Sequence, residues 1–124
     1  MEYTNAEMER MMAQLEPYLG RSDKIGYAAA RNTRILKAEA EEYINRKREL
    51  MAEHGHLQVD EQGNPTGMIA IDFGTPEFEA FTEAIEEWAL IKHEPNLYTL
   101  PAEEAVDRIS GTELLNLEWM FRWE

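Results

Sequence analysis

A change in the spacing of apolar residues near residue 57 constrains the fold of this chain most. Before it, apolar side chains recur every three or four residues, which is typical of amphipathic helices. The runs 57–59 and 68–73 are short, apolar and typical of strands, and the segment 60–67 between them is dense in turn-forming residues. Helical spacing returns after Thr75. We therefore expect a mainly helical α+β fold with a small two- or three-stranded antiparallel sheet, including a β-hairpin between the second and third helices.

Capping residues predict where the first two helices begin. Thr4, with Glu7 three residues later, forms a capping-box pattern for the first helix. Ser22 is the expected cap of a second helix that continues to Gly55. A helix of roughly thirty residues would be ~45 Å long. Because that is long for a chain of this size, we expect it to project, to kink near Asn32-Thr33, or to pack against a second molecule.

The later helices have similar signals. Thr75-Pro76 predicts the start of the third helix, and Ser110 with Glu113 predicts a capping box for the last one. A third strand is expected at 96–100. Apolar residues that share one face of the third helix are expected to be buried against the sheet and the second helix: Phe78, Phe81, Ile85 and Trp88. The expected buried face of the last helix is Leu114, Leu117, Met120 and Phe121.

Charge is unevenly distributed over the 124 residues, which we interpret as one domain. Eight of the twelve basic residues lie between Arg21 and Arg48, and the net charge of the chain is −13. From residue 49 onward, seventeen acids face three bases, a net charge of −14. This balance disfavours direct binding to nucleic acids and to anionic membranes, and it favours a basic protein partner.

Other features of the composition suggest a cytoplasmic protein. There are no cysteines, which excludes disulfides and thiolate catalysis. No apolar stretch approaches the ~18 residues of a membrane span. The first residues, Met1 to Asn5, lack the basic and apolar regions of a signal peptide. We therefore expect a location in the cytoplasm.

The order of four segments resembles small phage proteins of the uncharacterised DUF1617 family. The segments are the basic helix end Tyr43-Ile44-Asn45-Arg46-Lys47-Arg48-Glu49-Leu50, the turn Asp60-Glu61-Gln62-Gly63-Asn64, the helix start Thr75-Pro76-Glu77-Phe78-Glu79-Ala80-Phe81, and the element Ile109-Ser110-Gly111-Thr112-Glu113-Leu114-Leu115. The resemblance covers most of the chain. It implies a phage or prophage origin and a host-cell location, and it implies no activity or catalytic residues.

Two segments contain residues that can bind metals. His54 and His56 could bind zinc or nickel if Asp60, Asp72 or His93-Glu94 joined them in space. A polar helix end explains the same histidines and is the favoured interpretation. The turn at 60–64 lacks the alternating acids of a calcium loop, and a hairpin turn is favoured there. We predict no metal site, no cofactor and no catalytic residues, although a small enzyme remains an alternative.

Three groups of residues are candidates for an interaction surface. The first is a basic helix face that either docks an acidic partner or pairs with the acidic half of the chain: Arg31, Arg34 and Lys37. The second is the acidic, solvent-facing side of the third helix: Glu79, Glu83 and Glu86. The third is a pair four residues apart, expected to share a helical face and to serve either the core or an interface: Trp119 and Trp123.

These observations favour a non-catalytic phage protein that inhibits or modulates a host or defence protein, with its acidic surface imitating nucleic acid. A phage assembly accessory or chaperone is the first alternative. A small metal-dependent enzyme using His54 and His56 is the second. Self-association into a homodimer, through the long second helix or the C-terminal aromatics, is also expected because the chain has more apolar surface than it can readily cover.

Overall fold

The computed structural model describes residues 1–123, which contain five α-helices and six short strands. The helices are α1 (Asn5–Leu15), α2 (Lys24–Glu39), α3 (Glu41–His54), α4 (Pro76–Ala89) and α5 (Gly111–Asn116). The strands are β1 (Tyr3–Thr4), β2 (His56–Val59), β3 (Pro65–Ala70), β4 (Lys92–His93), β5 (Leu100–Pro101) and β6 (Phe121–Arg122). The mainly helical α+β class is confirmed, as is the hairpin, which lies between α3 and α4.

The chain forms two compact units. One, unit 1, contains residues 1–40 together with the chain from Lys92 onward, and the other, unit 2, contains residues 41–91. Unit 2 is therefore a continuous insertion in the sequence of unit 1. The interpretation of the chain as a single domain stays a prediction.

Unit 1 is built around the packing of α1 against α2. The Thr4–Glu7 capping box is present and fixes the start of α1. Strand β1 pairs antiparallel with β4, and β5 pairs parallel with β6. The interior is formed by fully buried side chains from both helices and from the C-terminal segment: Met8, Leu15, Ile25, Ala28, Ala29, Leu36, Leu117 and Met120.

Unit 2 consists of α3, the β2–β3 hairpin and α4, with α3 packed against α4. Thr75 caps α4 by accepting a hydrogen bond from the Phe78 backbone N–H, with Pro76 in the first turn as predicted. The core of unit 2 contains Tyr43 and Leu50 of α3 and Ile85 of α4. Partly buried side chains pack against these residues: Ile44, Phe81, Ala84, Trp88 and Ala89.

The long second helix differs from the prediction. Asp23, not Ser22, caps α2, and the helix stops at Ala40, whose φ of −94° and ψ of 9° are not helical. The helix is continuous through Asn32, whose side chain bonds to the Tyr98 backbone. The α-helical segments that result are 16 and 14 residues long.

The hairpin also differs from its expected packing. Every residue of β2 is exposed, as are all but the last residue of β3, so the hairpin does not cover α4. The stripe on α4 packs against α3 instead. The predicted strand at 96–100 is limited to Leu100, which pairs with Phe121 and not with the hairpin. In residues 1–123, no helix has both the length and the apolar content needed to cross a membrane.

Candidate interaction surfaces

The solvent-facing side of α4 carries a compact acidic surface. Glu79, Glu83, Glu86 and Glu87 are all exposed and lie opposite the buried Ile85. Glu83 lies four residues after Glu79, and Glu86 and Glu87 follow Glu83 by three and four residues. These spacings place neighbouring carboxylates on adjacent turns of the helix. We call these four residues the acidic ridge. The helical spacing predicts that all four face water, and three of them, Glu79, Glu83 and Glu86, are the candidate interaction residues named above.

The acidic ridge is not neutralised within unit 2. In residues 41–91, twelve acids face three bases, which gives this unit a net charge of −9. The basic side chain of Arg46 pairs with Glu49 and Glu53 on α3. No carboxylate of the ridge forms a hydrogen bond or an ion pair within residues 41–91. The ridge thus presents four charges to solvent over two turns of helix.

The predicted basic face lies on the exposed side of α2. Arg31, Arg34 and Lys37 are all exposed. None of them forms an ion pair with a carboxylate in residues 1–40 or 92–123. Acidic side chains of unit 1 pair with other cations, for example Asp23 with Arg21 at 2.6 Å. Pairing of the basic face with the acidic half of the chain, most of whose acids lie in unit 2, stays a prediction.

Two tyrosines extend this basic face. The Arg31 guanidinium lies over the Tyr98 ring, 4.5 Å from its centroid, and Arg31 Nη1 is 3.4 Å from the Tyr27 hydroxyl. The Tyr27 and Tyr98 rings meet edge to face, with centroids 5.6 Å apart. Tyr27, Ala30, Arg31 and Arg34 line an open hollow of about 490 Å³. We call this the Tyr–Arg hollow.

A buried asparagine holds Tyr98 in this position. The Asn32 side chain is fully buried, its Nδ2 donates to the Tyr98 carbonyl at 2.8 Å, and its Oδ1 accepts from the Tyr98 N–H at 2.7 Å. Both backbone groups of one residue are thus satisfied by one side chain. Neither Asn32 nor the two tyrosines is among the functional residues predicted from the sequence. A polar residue on the otherwise apolar face of α2 was the available signal for Asn32.

The histidine pair lies beside an open hollow of about 320 Å³ at the end of α3. His56 Nε2 is 3.3 Å from Asp72 Oδ2, so one of the predicted acidic neighbours does join it. The Leu57 carbonyl and the Asp72 carboxylate raise the pKa of His56. His54 lies 4.0 Å from Glu53.

No cluster suited to a metal forms around these histidines. Asp60 accepts hydrogen bonds from the backbone N–H groups of Gln62 and Asn64, which confirms the hairpin turn. His93 belongs to unit 1 and lies 3.2 Å from Glu39. Across residues 1–123, no three His, Asp or Glu side chains gather as metal ligands would. The absence of a functional metal stays a prediction.

The two C-terminal tryptophans have different environments. Trp119 is half-buried, and its Nε1 is 3.5 Å from Gln14 Oε1 of α1. Trp123 is 61% exposed and lines an apolar hollow of about 320 Å³ with Val106, Ile109 and Leu114. The predicted common helical face is wrong, because β6 follows a single 3-10 turn at 118–120. Trp123 is therefore the more exposed of the two candidate contact residues.

No family model, curated protein or solved structure matches this chain. Three surfaces are prominent in residues 1–123: the acidic ridge, the Tyr–Arg hollow and the apolar hollow beside Trp123.

Proposed function

We propose that this protein is a non-catalytic, phage-encoded interaction protein that acts in the host cytoplasm. Its acidic ridge binds a basic host or defence protein at the surface which that protein uses for nucleic acid. The observation that carries the proposal is the set of four exposed glutamates with no partner in their own unit. The resemblance to small phage proteins supports the proposed origin and location.

The spacing of charge along α4 supports imitation of a nucleic-acid strand. Residues 79 and 87 are separated by a rise of roughly 12 Å along the helix axis. Four carboxylates over that rise give about one charge per 3–4 Å, and one strand of B-DNA carries about one charge per 3.4 Å. A protein surface that binds a phosphate backbone would therefore meet a comparable line of negative charge.

The test is capture from a lysate of phage-infected bacteria followed by competition. We expect the immobilised protein to retain a basic nucleic-acid-binding protein, to release it as salt is raised, and to displace duplex DNA from it. Salt weakens the contact because the Debye length falls from ~10 Å at 0.1 M to ~3 Å at 1 M. The triple variant Glu79→Gln/Glu83→Gln/Glu86→Gln should lose both capture and competition.

The chain offers a control with the same change in charge. Glu16, Glu94 and Glu118 are exposed residues of unit 1 without an ion pair in residues 1–40 and 92–123. Changing all three to Gln also adds three to the net charge. Equal loss in both triple variants would mean that only overall charge matters, and the acidic ridge would then not be the binding surface.

A second candidate is an assembly accessory or chaperone, favoured by the apolar hollow beside Trp123. An exposed tryptophan at the edge of an apolar hollow is typical of a contact surface. In this case the captured protein should be a virion component, and Trp123→Ala should abolish its capture while the glutamine variant of the ridge retains it. The same surface would serve the proposed homodimer, which light scattering at tens of micromolar distinguishes from a monomer.

A further inference from the structure

The Tyr–Arg hollow combines unpaired cations with aromatic rings in a protein of opposite net charge. Acids outnumber bases by 25 to 12 in the whole chain. Nevertheless Arg31, Arg34 and Lys37 have no carboxylate partner in unit 1 as far as residue 123. One of them, Arg31, is held in position because it stacks on Tyr98, whose backbone is bound by a buried asparagine.

From this arrangement we propose that the Tyr–Arg hollow binds a nucleotide, with its phosphate on Arg34 and Lys37 and its base stacked on Tyr27. Arg34 and Lys37 are three residues apart on α2, so their side chains reach the same region of solvent. A guanidinium donates in a planar fork that fits two phosphate oxygens, and an ammonium adds a compact charge. Both cations are exposed and have no competing ion pair in their unit.

The aromatic residues supply the second half of the site. Tyr27 is 57% exposed, and its edge-to-face contact with Tyr98 can cover at most one of its faces. An open ring face beside a guanidinium is the arrangement on which nucleic-acid bases stack. An acidic peptide would match the cations but would leave the ring face without a planar partner. The hollow of about 490 Å³ is within the range of roughly 300–1,000 Å³ that small-molecule sites occupy.

A nucleotide can come from two sources, a free mononucleotide or one unit of a single strand. The negative charge of the chain favours the free form, because a longer strand would carry further phosphates past acidic surface. The site is separate from the acidic ridge in sequence and in unit, so it does not depend on the function proposed above.

In the experiment, the intact protein is titrated with ADP, with a ten-residue oligothymidylate and with inorganic phosphate, and each binding affinity is measured by isothermal titration calorimetry. We expect ADP to bind in the micromolar to millimolar range. Arg34→Gln should weaken it roughly tenfold to a hundredfold, as for the loss of a charged hydrogen bond. Tyr27→Leu, which keeps the bulk and removes the ring, should weaken it about tenfold.

Arg10→Gln is the matched control, since Arg10 is an exposed arginine on α1 with the same change in charge, and it should bind ADP like the wild type. Similar affinity for ADP and the oligonucleotide supports a site for one free nucleotide, and an oligonucleotide at least tenfold tighter supports a single strand as the source. The proposal is overturned if ADP does not bind, if phosphate alone binds equally well, or if Arg34→Gln and Arg10→Gln behave alike. Circular dichroism of each variant shows whether a loss reflects unfolding.

Discussion

The replacement Asn32→Ala should destabilise the protein strongly, because one buried side chain satisfies two backbone groups of Tyr98. Removing it leaves the Tyr98 N–H and carbonyl without their partners. An unpaired buried polar group costs about 1–3 kcal/mol. Tyr98 is half-buried, so water recovers part of this loss, and we expect the free energy of unfolding to fall by about 2–4 kcal/mol. Domains of this size have a total of ~5–15 kcal/mol.

Urea denaturation followed by circular dichroism measures this loss. With an m-value of about 1.5–2 kcal/mol/M, a loss of ~3 kcal/mol lowers the midpoint by about 1.5–2 M. Asn116→Ala is the control, because Asn116 is exposed at the end of α5. A loss below about 1 kcal/mol in Asn32→Ala, or one equal to that of the control, would show that the two hydrogen bonds do not stabilise the fold as described.

The variant Asn32→Asp tests the same contact through pH. A buried carboxylate there would accept from the Tyr98 N–H but could not donate to the Tyr98 carbonyl. Burial disfavours the charged form, so the folded-state pKa of this aspartate should be above its unfolded value. The variant should therefore lose stability relative to the wild type as pH rises, and the difference should shrink from pH ~7 to pH ~4 as the carboxyl is protonated. A difference that does not depend on pH would contradict burial of this side chain.

Three further outcomes are expected. Phe81→Ala should lower the free energy of unfolding by about 2–4 kcal/mol, because Phe81 packs on the core of unit 2, and an unchanged urea midpoint would refute that packing. The Arg21 side chain and then the Gly26 N–H lower the pKa of Asp23 to about 2, so its stabilising effect is complete above its usual pKa of 3.8 and is lost toward pH 2. The difference in unfolding midpoint between wild type and Asp23→Asn should therefore be constant above about pH 5 and shrink from about pH 4 to pH 2. Elemental analysis of untagged protein should find well below one equivalent of zinc or nickel at His54 and His56, and one equivalent would refute the prediction of no metal.

Local signals in the sequence predicted the starts of α1, α4 and α5. The pairs Thr4–Glu7 and Ser110–Glu113 both form capping boxes. The hydrogen bonds of a capping box join only the cap residue and the residue three positions later, so a short stretch of sequence is enough to predict them. The hairpin and its turn at Asp60 follow from the same local chemistry. These elements need no information about distant parts of the chain.

Features that depend on distant residues were not predicted. The two hydrogen bonds that satisfy the buried Asn32 side chain are made with Tyr98, which lies 66 positions away in the sequence. Periodicity placed Trp119 and Trp123 on one helix, but Phe121 pairs with Leu100 and ends the helical geometry. For the charged faces, the helical spacing predicted the exposed glutamates of α4 and the basic face of α2, whereas Tyr98, on which Arg31 stacks, comes from a separate segment.

The insertion of unit 2 within unit 1 has a consequence for the order of folding. Unit 1 joins residues on both sides of the insertion, as in the pairing of Tyr3 with His93 and the contact of His93 with Glu39. If residues 41–91 were a flexible loop, closing it would cost roughly 3–4 kcal/mol of chain entropy, from the logarithmic dependence on loop length. A folded unit 2 removes most of that freedom in advance, and its own contacts lie within one continuous segment. We therefore expect residues 41–91 to fold before unit 1 closes, so that a destabilised α3–α4 pair would slow the folding of residues outside unit 2.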